Sequence, residues 1–447
     1  MAPTPGFRRR QRRTGTALLA CAVSAAALGL TGCGTSAGSS AEPTVTVWSW
    51  RAQDAPVWKT VQDDLAKQGT NVRIQFRAIN ATSYDSVLQT AMNGGSGPDI
   101  YYDRAGEGTE KYAAAGMAAP LDGSVDTSAI GKDALAAAQY RGKTYGVPFA
   151  VQSMELFYNK KLLADNGVQV PQTWTQLISA MKTLKSKGVT PMYVMGVQQW
   201  LLALQIDAIG ASTLDDSTAQ AITDKKATYS DPQFVRTLAA FQQLSPYLEK
   251  NWQATGSAGN EQETQFALGK TAFIIDGIFD TATIDQVNPS LQYGQILVPS
   301  PDGKQPRLDW YIDGDFSLNS HIRSSAESTA AEKVLGFTAT KTFGDAFSQV
   351  AGEISPIQGV QVPAKYPLSV EAAHWYQTQA VKPVFGIRSP MDNPPVSPSD
   401  IKKKSAATTP GIFTAEQNIA TPLLNGKLTP QQAAAKIDSQ LSWYFGK

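Results

Sequence analysis

The stretch from Val45 to Asp103 reads VTVWSWRAQDAPVWKTVQDDLAKQGTNVRIQFRAINATSYDSVLQTAMNGGSGPDIYYD, and its periodicity decides the fold. Val45-Thr46-Val47-Trp48 is an apolar run of strand length. Asp54 stands where a cap would open the next helix, Pro56 falls in its first turn, and Trp58, Val61 and Leu65 share one face. Gly69 stops it. Val72, Ile74, Phe76 and Ala78 then alternate with Arg73, Gln75 and Arg77, which predicts a second strand. Tyr84, Val87, Leu88, Ala91 and Met92 follow the i, i+3, i+4, i+7, i+8 spacing of an amphipathic helix. Gly94-Gly95-Ser96-Gly97-Pro98 breaks the chain before a third strand at Asp99–Tyr102. The order βαβαβ opens a doubly wound α/β domain. Ligands of such sheets sit beyond the carboxyl ends of the strands. Those ends are Ser49-Trp50-Arg51, Ile79-Asn80 and Asp103-Arg104.

Upstream, five arginines (Arg8, Arg9, Arg10, Arg12 and Arg13) precede an apolar run from Ala17 to Leu30. That is the charged region and short apolar region of a secretory signal, too short to span a bilayer as a mature helix. Leu30-Thr31-Gly32-Cys33 resembles a bacterial lipobox, which implies that residues 1–32 are removed and that Cys33 carries lipid. Both Sec and twin-arginine export remain open readings of the paired arginines. Residues 33–43 then read as lipid anchor and flexible Gly/Ser/Ala tether. Gly34-Thr35-Ser36-Ala37-Gly38 matches the G-x-S-x-G hydrolase elbow by chance, since no strand precedes it and no helix follows.

Removing the leader takes away Cys21, so the mature chain keeps one cysteine and has no disulfide framework, Cys-based metal site or cysteine nucleophile. The full chain carries 39 basic against 38 acidic residues, and loss of the five arginines leaves a net of −4. Nothing in that balance points to nucleic acid, and the membrane is expected to be touched only through the anchor. About four hundred mature residues imply two domains.

Downstream, Thr173 is placed to cap a helix striped by Trp174, Leu177, Ile178, Met181 and Leu184. Val189–Met195 reads as a strand, Asp231-Pro232 opens another helix, and Thr271–Ile275 reads as a buried strand ending in Asp276-Gly277. The last third is mostly helical, interrupted by a proline-rich stretch from Ser389 to Pro398.

Five segments carry a resemblance to a family. Asn93–Ile100 is similar to a "gGxxPDv" segment. Tyr145-Gly146-Val147-Pro148, followed by Leu156–Leu163, is similar to "YGvP…lyYNkdll". Pro171-Gln172-Thr173-Trp174 resembles "PkTWdEl", and Phe266–Phe273 with Gly277-Ile278-Phe279 resembles "F..GkaAm…G.w". In this order, behind a lipobox, they resemble the extracellular solute-binding proteins of ABC transporters, in the sugar-binding group that includes maltose-binding protein. The resemblance implies two doubly wound α/β lobes joined by a hinge of several crossings, with a ligand cleft between them. By analogy the crossings fall near Phe149–Gln152, Thr271–Asp276 and Phe316–Leu318. One lobe is then residues 44–149 plus 277–316, the other 152–271 plus 318–447.

Sugars offer C–H patches that stack on aromatic rings and hydroxyl pairs that bond carboxylates, amides and guanidinium groups. Strand ends on the binding edge nominate Trp50, Arg51, Asn80 and Asp103, while Trp48, deeper in its strand, is assigned to the core. The resemblance adds Gln152 and Glu155 after a crossing, Trp200 in the second lobe, and Phe279, which stands where the family usually has tryptophan. Asp309-Trp310-Tyr311-Ile312-Asp313-Gly314-Asp315-Phe316 resembles a glycine-rich cleft strand but carries aspartates, which nominates Trp310, Tyr311, Asp313 and Asp315. Trp375 (within His374-Trp375-Tyr376) and Arg388 complete the set.

The expectation is a monomeric, lipid-anchored receptor outside the cytoplasmic membrane. It hands a mono- or oligosaccharide to ABC permease subunits driven by a cytoplasmic ATPase, with no cofactor, no metal and no catalytic residues. Two alternatives stay open. The same fold can take a cation, polyamine or iron, given the aspartates of 309–315 and the pair Tyr101-Tyr102. Neighbouring strand residues point to opposite faces, however, so that pair would not converge on one metal. An exported carbohydrate-active enzyme is the other, but no local motif pairs the carboxylates, and His321 and His374 supply a triad or zinc site poorly.

Overall fold

The computed structural model describes residues 42–257, 259–380 and 409–446. The leader, Cys33, Arg388 and the proline-rich stretch 389–398 lie outside the described residues. In chain order the first strands are β1 (Thr44–Ser49), β2 (Arg73–Ala78), β3 (Ile100–Asp103), β4 (Gln139–Tyr140), β5 (Lys143–Thr144) and β6 (Gly146–Pro148). There follow β7 (Val151–Asn159), β8 (Thr190–Met192), β9 (Thr271–Gly277), β10 (Tyr293–Ile296), β11 (Asp309–Ile312) and β12 (Asp315–Leu318).

The opening βαβαβ forms as its periodicity predicts. β1 runs parallel to β2 and β3, with the helices Ala55–Lys67 and Ala81–Asn93 between them. Val57, Trp58, Val61 and Leu65 are the buried face of the first helix. Asp54, however, makes no capping bond. Its carboxylate is drawn inward, where Oδ2 accepts from Arg51 Nε and from the Tyr102 hydroxyl. Trp48 is half-buried at the edge of the first core, under the Arg77 guanidinium.

Two sheets organise the chain. The first has the order β2-β1-β3-β12-β6, with β12 antiparallel to both neighbours. The second has the order β10-β7-β9-β8, with β11 also on β7. β7 is the spine of this sheet: β11 and β10 share one edge, pairing with 151–154 and 156–159, while β9 takes the other. Each sheet has its own apolar core, so the fold is two-lobed α/β. At about 25 cal/mol per Å² of apolar surface removed from water, these cores are what hold the lobes together. The helix Gln199–Thr213 is apolar all round and buried from Leu201 onward, the centre of the second lobe. Thr173 and Asp231 cap their helices as expected, accepting from the amides of Gln176 and Gln233. Among the described residues no helix is long and apolar enough to cross a membrane.

The division between the lobes differs from the expected one. The chain does pass from β6 to β7 through Phe149-Ala150. It returns at Asp313-Gly314, between β11 and β12, rather than at Phe316–Leu318. There is no change of sheet at Thr271–Asp276, because β9 is followed by β10 and β11 in the same sheet. Residues 293–312 therefore belong with β7, whose long edge they cover. The helices Ser325–Thr338 and Lys341–Ala351 put Val334, Leu335, Phe343 and Phe347 into the first core. Among the described residues, Ile412–Leu424, Pro430–Gln440 and Ser442–Phe445 return to the second.

Candidate functional site

Trp50 leaves the end of β1 and rests edge-on against Tyr84 and Tyr102, at 5.3 and 5.6 Å between ring centroids. It is half-buried, and the Arg104 guanidinium lies 3.8 Å from its ring centroid. Arg104 also reaches Asp313, Nη1 to Oδ1 at 3.6 Å. Gly314 makes this assembly possible. A Cβ there would lie 2.3 Å from the Asp103 carbonyl and 2.9 Å from both Trp50 Cη2 and Phe149 Cε1, so only glycine lets the crossing pass so close. The result is an aromatic ring, a planar fork of donors and a carboxylate at one point of the rim. Arg104 was not nominated by the sequence, although its place just after a strand end was the available signal.

Arg51 points the other way and is nearly fully buried. Its three nitrogens are all engaged: Nε with Asp54 at 3.0 Å, Nη1 with Asp313 at 3.0 Å, and Nη2 with Glu353. Gln152, at the start of β7, donates to the other oxygen of Glu353 at 2.8 Å. Glu353 follows the helix Lys341–Ala351, and the neighbouring Ile354 carbonyl accepts from the Val151 amide. This network thus joins the end of β1, the crossing at 313 and the start of the second sheet. Burial pulls the Arg51 guanidinium down, but Asp54, Glu353 and Asp313 together hold it well above its ordinary value. Asp54 and Glu353 nevertheless lie above the usual carboxylate range, burial outweighing Arg51. The two directions conflict only in appearance, because one positive charge is shared among three acids. No sequence signal exposes Glu353, which stands 302 residues from its partner.

The remaining nominated carboxylates are also inside. Asp103 and Asp315 face each other across the β3–β12 ladder, both buried. Asp315 accepts from Thr109 and Ser317, whereas Asp103 Oδ2 has no hydrogen-bond partner. Burial, reinforced by Asp315, pushes Asp103 well above its ordinary value. Glu155 is wholly buried in β7 and takes a bond from Ser153 at 2.5 Å. Burial raises it to about 8, with Asp309 and Glu371 adding to the effect against Ser153. Gln152, Glu155, Asp103 and Asp315 therefore face protein rather than solvent in this conformation. Strand position reveals which residue reaches an edge but not how deep that edge lies.

In the second lobe the structure brings together two residues nominated separately. The rings of Trp200 and Phe279, both half-buried, lie 6.4 Å apart, and Trp200 Nε1 donates to Gln198 at 2.9 Å. Phe279 folds back over Gly277, where a Cβ would come within 1.9 Å of its ring. Trp310 and Tyr311 are core side chains instead, Trp310 meeting Tyr376 edge-on at 4.8 Å. Trp375 is half-buried on the helix Pro367–Thr378, and Asn80 is exposed at the end of β2. Tyr101 and Tyr102 are fully buried and diverge, one against Tyr112 and the other against Trp58 and Phe316.

Two α/β lobes with chain crossings between them, and half-buried aromatics backed by polar groups, are an arrangement suited to binding a solute. The sequence model for the bacterial extracellular solute-binding proteins matches residues 49–341, and the chain belongs to that family. It is 26% identical over 352 residues to the diacetylchitobiose binding protein DasA of Streptomyces coelicolor, spanning 74% of this chain and 77% of that one. It is also 26% identical over 264 residues to a maltooligosaccharide ABC transporter solute-binding lipoprotein of Streptococcus pneumoniae, spanning 56% of this chain and 59% of the other. Among solved structures, a chitin oligosaccharide binding protein superposes with a TM-score of 0.73 at 21% identity, covering 91% of this chain and all of that one.

Proposed function

We propose that this chain is a lipid-anchored extracellular receptor that captures an oligosaccharide and delivers it to an ABC import permease. The observation that carries the sugar reading is the Trp50–Arg104–Asp313 group. A half-buried indole stacks on the C–H face of a sugar ring, while a guanidinium fork and a carboxylate serve neighbouring hydroxyls. Trp200 and Phe279 supply a second aromatic surface from the other lobe, and closure of the lobes over the ligand is the hinge motion expected of such a fold. Relatives named for diacetylchitobiose and for maltooligosaccharides support an oligosaccharide, and chito-oligosaccharides head the panel to test.

The expected dissociation constant is about 0.1–10 μM, or roughly −8 to −9.5 kcal/mol. A hundredfold excess of ligand then stabilises the protein by about 2.7 kcal/mol, read as a rise in melting temperature. Trp50→Ala weakens binding by roughly 10–100-fold in calorimetry, having lost its stacking face. A panel of chito-, malto- and raffinose-type sugars that produces no shift would remove the sugar reading.

The anchor rests on the lipobox at Leu30–Cys33 and on the lipoprotein among the relatives. A Cys33→Ser chain is expected to bind sugar normally and to appear in the soluble fraction of lysed cells. Retention in the membrane pellet would rule Cys33 out as the anchor.

A further inference from the structure

Strand β9 ends in Asp276-Gly277, the helix Glu261–Ala267 packs beside it, and the turn Ile278–Asp280 follows. Together they bring one carboxylate oxygen each from Glu263, Asp276 and Asp280 within 4.8 Å of one another. The first two residues are buried and Asp280 is half-buried. No Lys, Arg or His among the described residues forms an ion pair with any of the three. Like charges this close, away from water, repel strongly unless a proton or a positive charge sits among them.

Two further observations point to such a charge. Gln262 is fully buried with its amide head at the cluster, Nε2 lying 2.9 Å from Asp276 Oδ2, yet its Oε1 has no donor. Glu263 Oε2 has none either. Both Asp276 oxygens accept, from Gln262 Nε2 and the Gly277 amide, but Gln262 Oε1 and Glu263 Oε2 are buried acceptors without donors, and a cation at the carboxylates would answer Glu263 Oε2. Asp280, in addition, stands at the N-cap of the helix Thr281–Val287 and makes no capping bond. Its carboxylate forgoes a position that favours aspartate and turns to the cluster instead.

We propose that Glu263, Asp276 and Asp280 hold a hard divalent cation, calcium by its three carboxylate ligands. All the donors are oxygens, as such cations require. Calcium takes several carboxylates from one protein cage, whereas magnesium keeps most of its waters and is held by one or two carboxylates. Half-exposed Asp280 provides the entry and leaves room for water to complete the shell. A bound ion ties the turn carrying Phe279 to β9 and to the helix Glu261–Ala267, and so fixes the aromatic that faces Trp200. Calcium here is a structural clamp, independent of which solute the protein takes.

The test is equilibrium dialysis of the EDTA-stripped whole chain against radioactive calcium, with the melting temperature as second readout. One calcium per chain is expected, with a dissociation constant of about 0.1–1 mM, as in extracellular calcium modules. At about 10 mM calcium the melting temperature should rise by about 2–4 °C. Glu263→Gln should lower the affinity at least tenfold, and Asp280→Asn, at a half-exposed position, should do so in a chain that keeps its fold. No bound calcium, or one calcium that both variants retain at full affinity, overturns the site. Magnesium binding as tightly as calcium overturns the assignment to calcium.

Discussion

Replacing Arg51 with methionine is expected to destabilise the protein by about 3–5 kcal/mol, the largest effect of any single change considered. The side chain is 4% exposed, so methionine fills much of the same volume without creating a large cavity. The loss is electrostatic. Asp54, Asp313 and Glu353 would remain without the cation that serves all three, and Arg104 reaches only Asp313, at 3.6 Å. A buried ion pair contributes little against an apolar substitute of both partners, but removing one partner leaves an uncompensated charge. The double variant Arg51→Met with Glu353→Gln should therefore recover part of the loss, because one fewer carboxylate is stranded. Urea midpoints measured by near-UV circular dichroism give the comparison. A single variant within about 1 kcal/mol of wild type would show that the network does not hold the crossing together.

That network also marks where sequence reasoning stops. Elements whose signal is local were legible: β1, β2 and the helices between them follow from period-2 and period-3.6 patterns, and Thr173 and Asp231 cap as their positions imply. The passage through Phe149-Ala150 follows from the family resemblance rather than from a local pattern. What was not legible depends on pairs far apart in the chain. Arg51 meets Asp313 across 262 residues and Glu353 across 302, and no local pattern records either contact. The return crossing was expected a few residues late for the same reason. Which edge of β7 the strands β10 and β11 occupy is fixed by packing, not by their own sequences.

The candidate site divides along the same line. Trp50 is nominated by its place at a strand end, a local feature, whereas Trp200 and Phe279 are nominated by the family resemblance. Arg104 was passed over although it stands one residue beyond Asp103, and it turns out to lie on Trp50. The acids are nominated by strand ends or by the resemblance, neither of which shows burial. Glu155 and Asp315 look like exposed hydroxyl-binding groups in the sequence, yet both are wholly buried. A carboxylate in a strand that is otherwise apolar reads equally well as ligand contact or as buried acid.

Those buried acids predict an unusual dependence on pH, and Glu155 is one whose effect a single substitution can isolate. Burial raises its carboxyl from 4.5 to about 8, assisted by Asp309 and Glu371 and opposed by the Ser153 hydroxyl. Asp309 beside it is raised by burial to about 7, with the Trp310 amide pulling it partly back. Between about pH 4.5 and 8 the folded chain therefore holds a proton on Glu155 that the unfolded chain has released. Stability then falls as pH rises through that window, by up to about 1.4 kcal/mol per pH unit for one group. This is the reverse of an ion-paired carboxylate, whose contribution is lost on acidification.

Glu155→Gln isolates the effect, since the amide keeps the shape of the protonated acid and cannot ionise. At pH 5 the variant should match wild type within about 1 kcal/mol, the proton being present in both cases. At pH 9 it should be the more stable by roughly 2–4 kcal/mol, because wild type must then bury a charge or carry a proton against the solvent. Glu249, raised chiefly by burial to about 7, keeps some slope in the variant. The melting temperature of wild type should thus decline steadily from pH 5 to 9, and that of the variant more gently, the two curves diverging above pH 6. Parallel curves, or a variant that is equally destabilised at both ends, would mean that Glu155 is ionised in the fold and held by a positive partner instead.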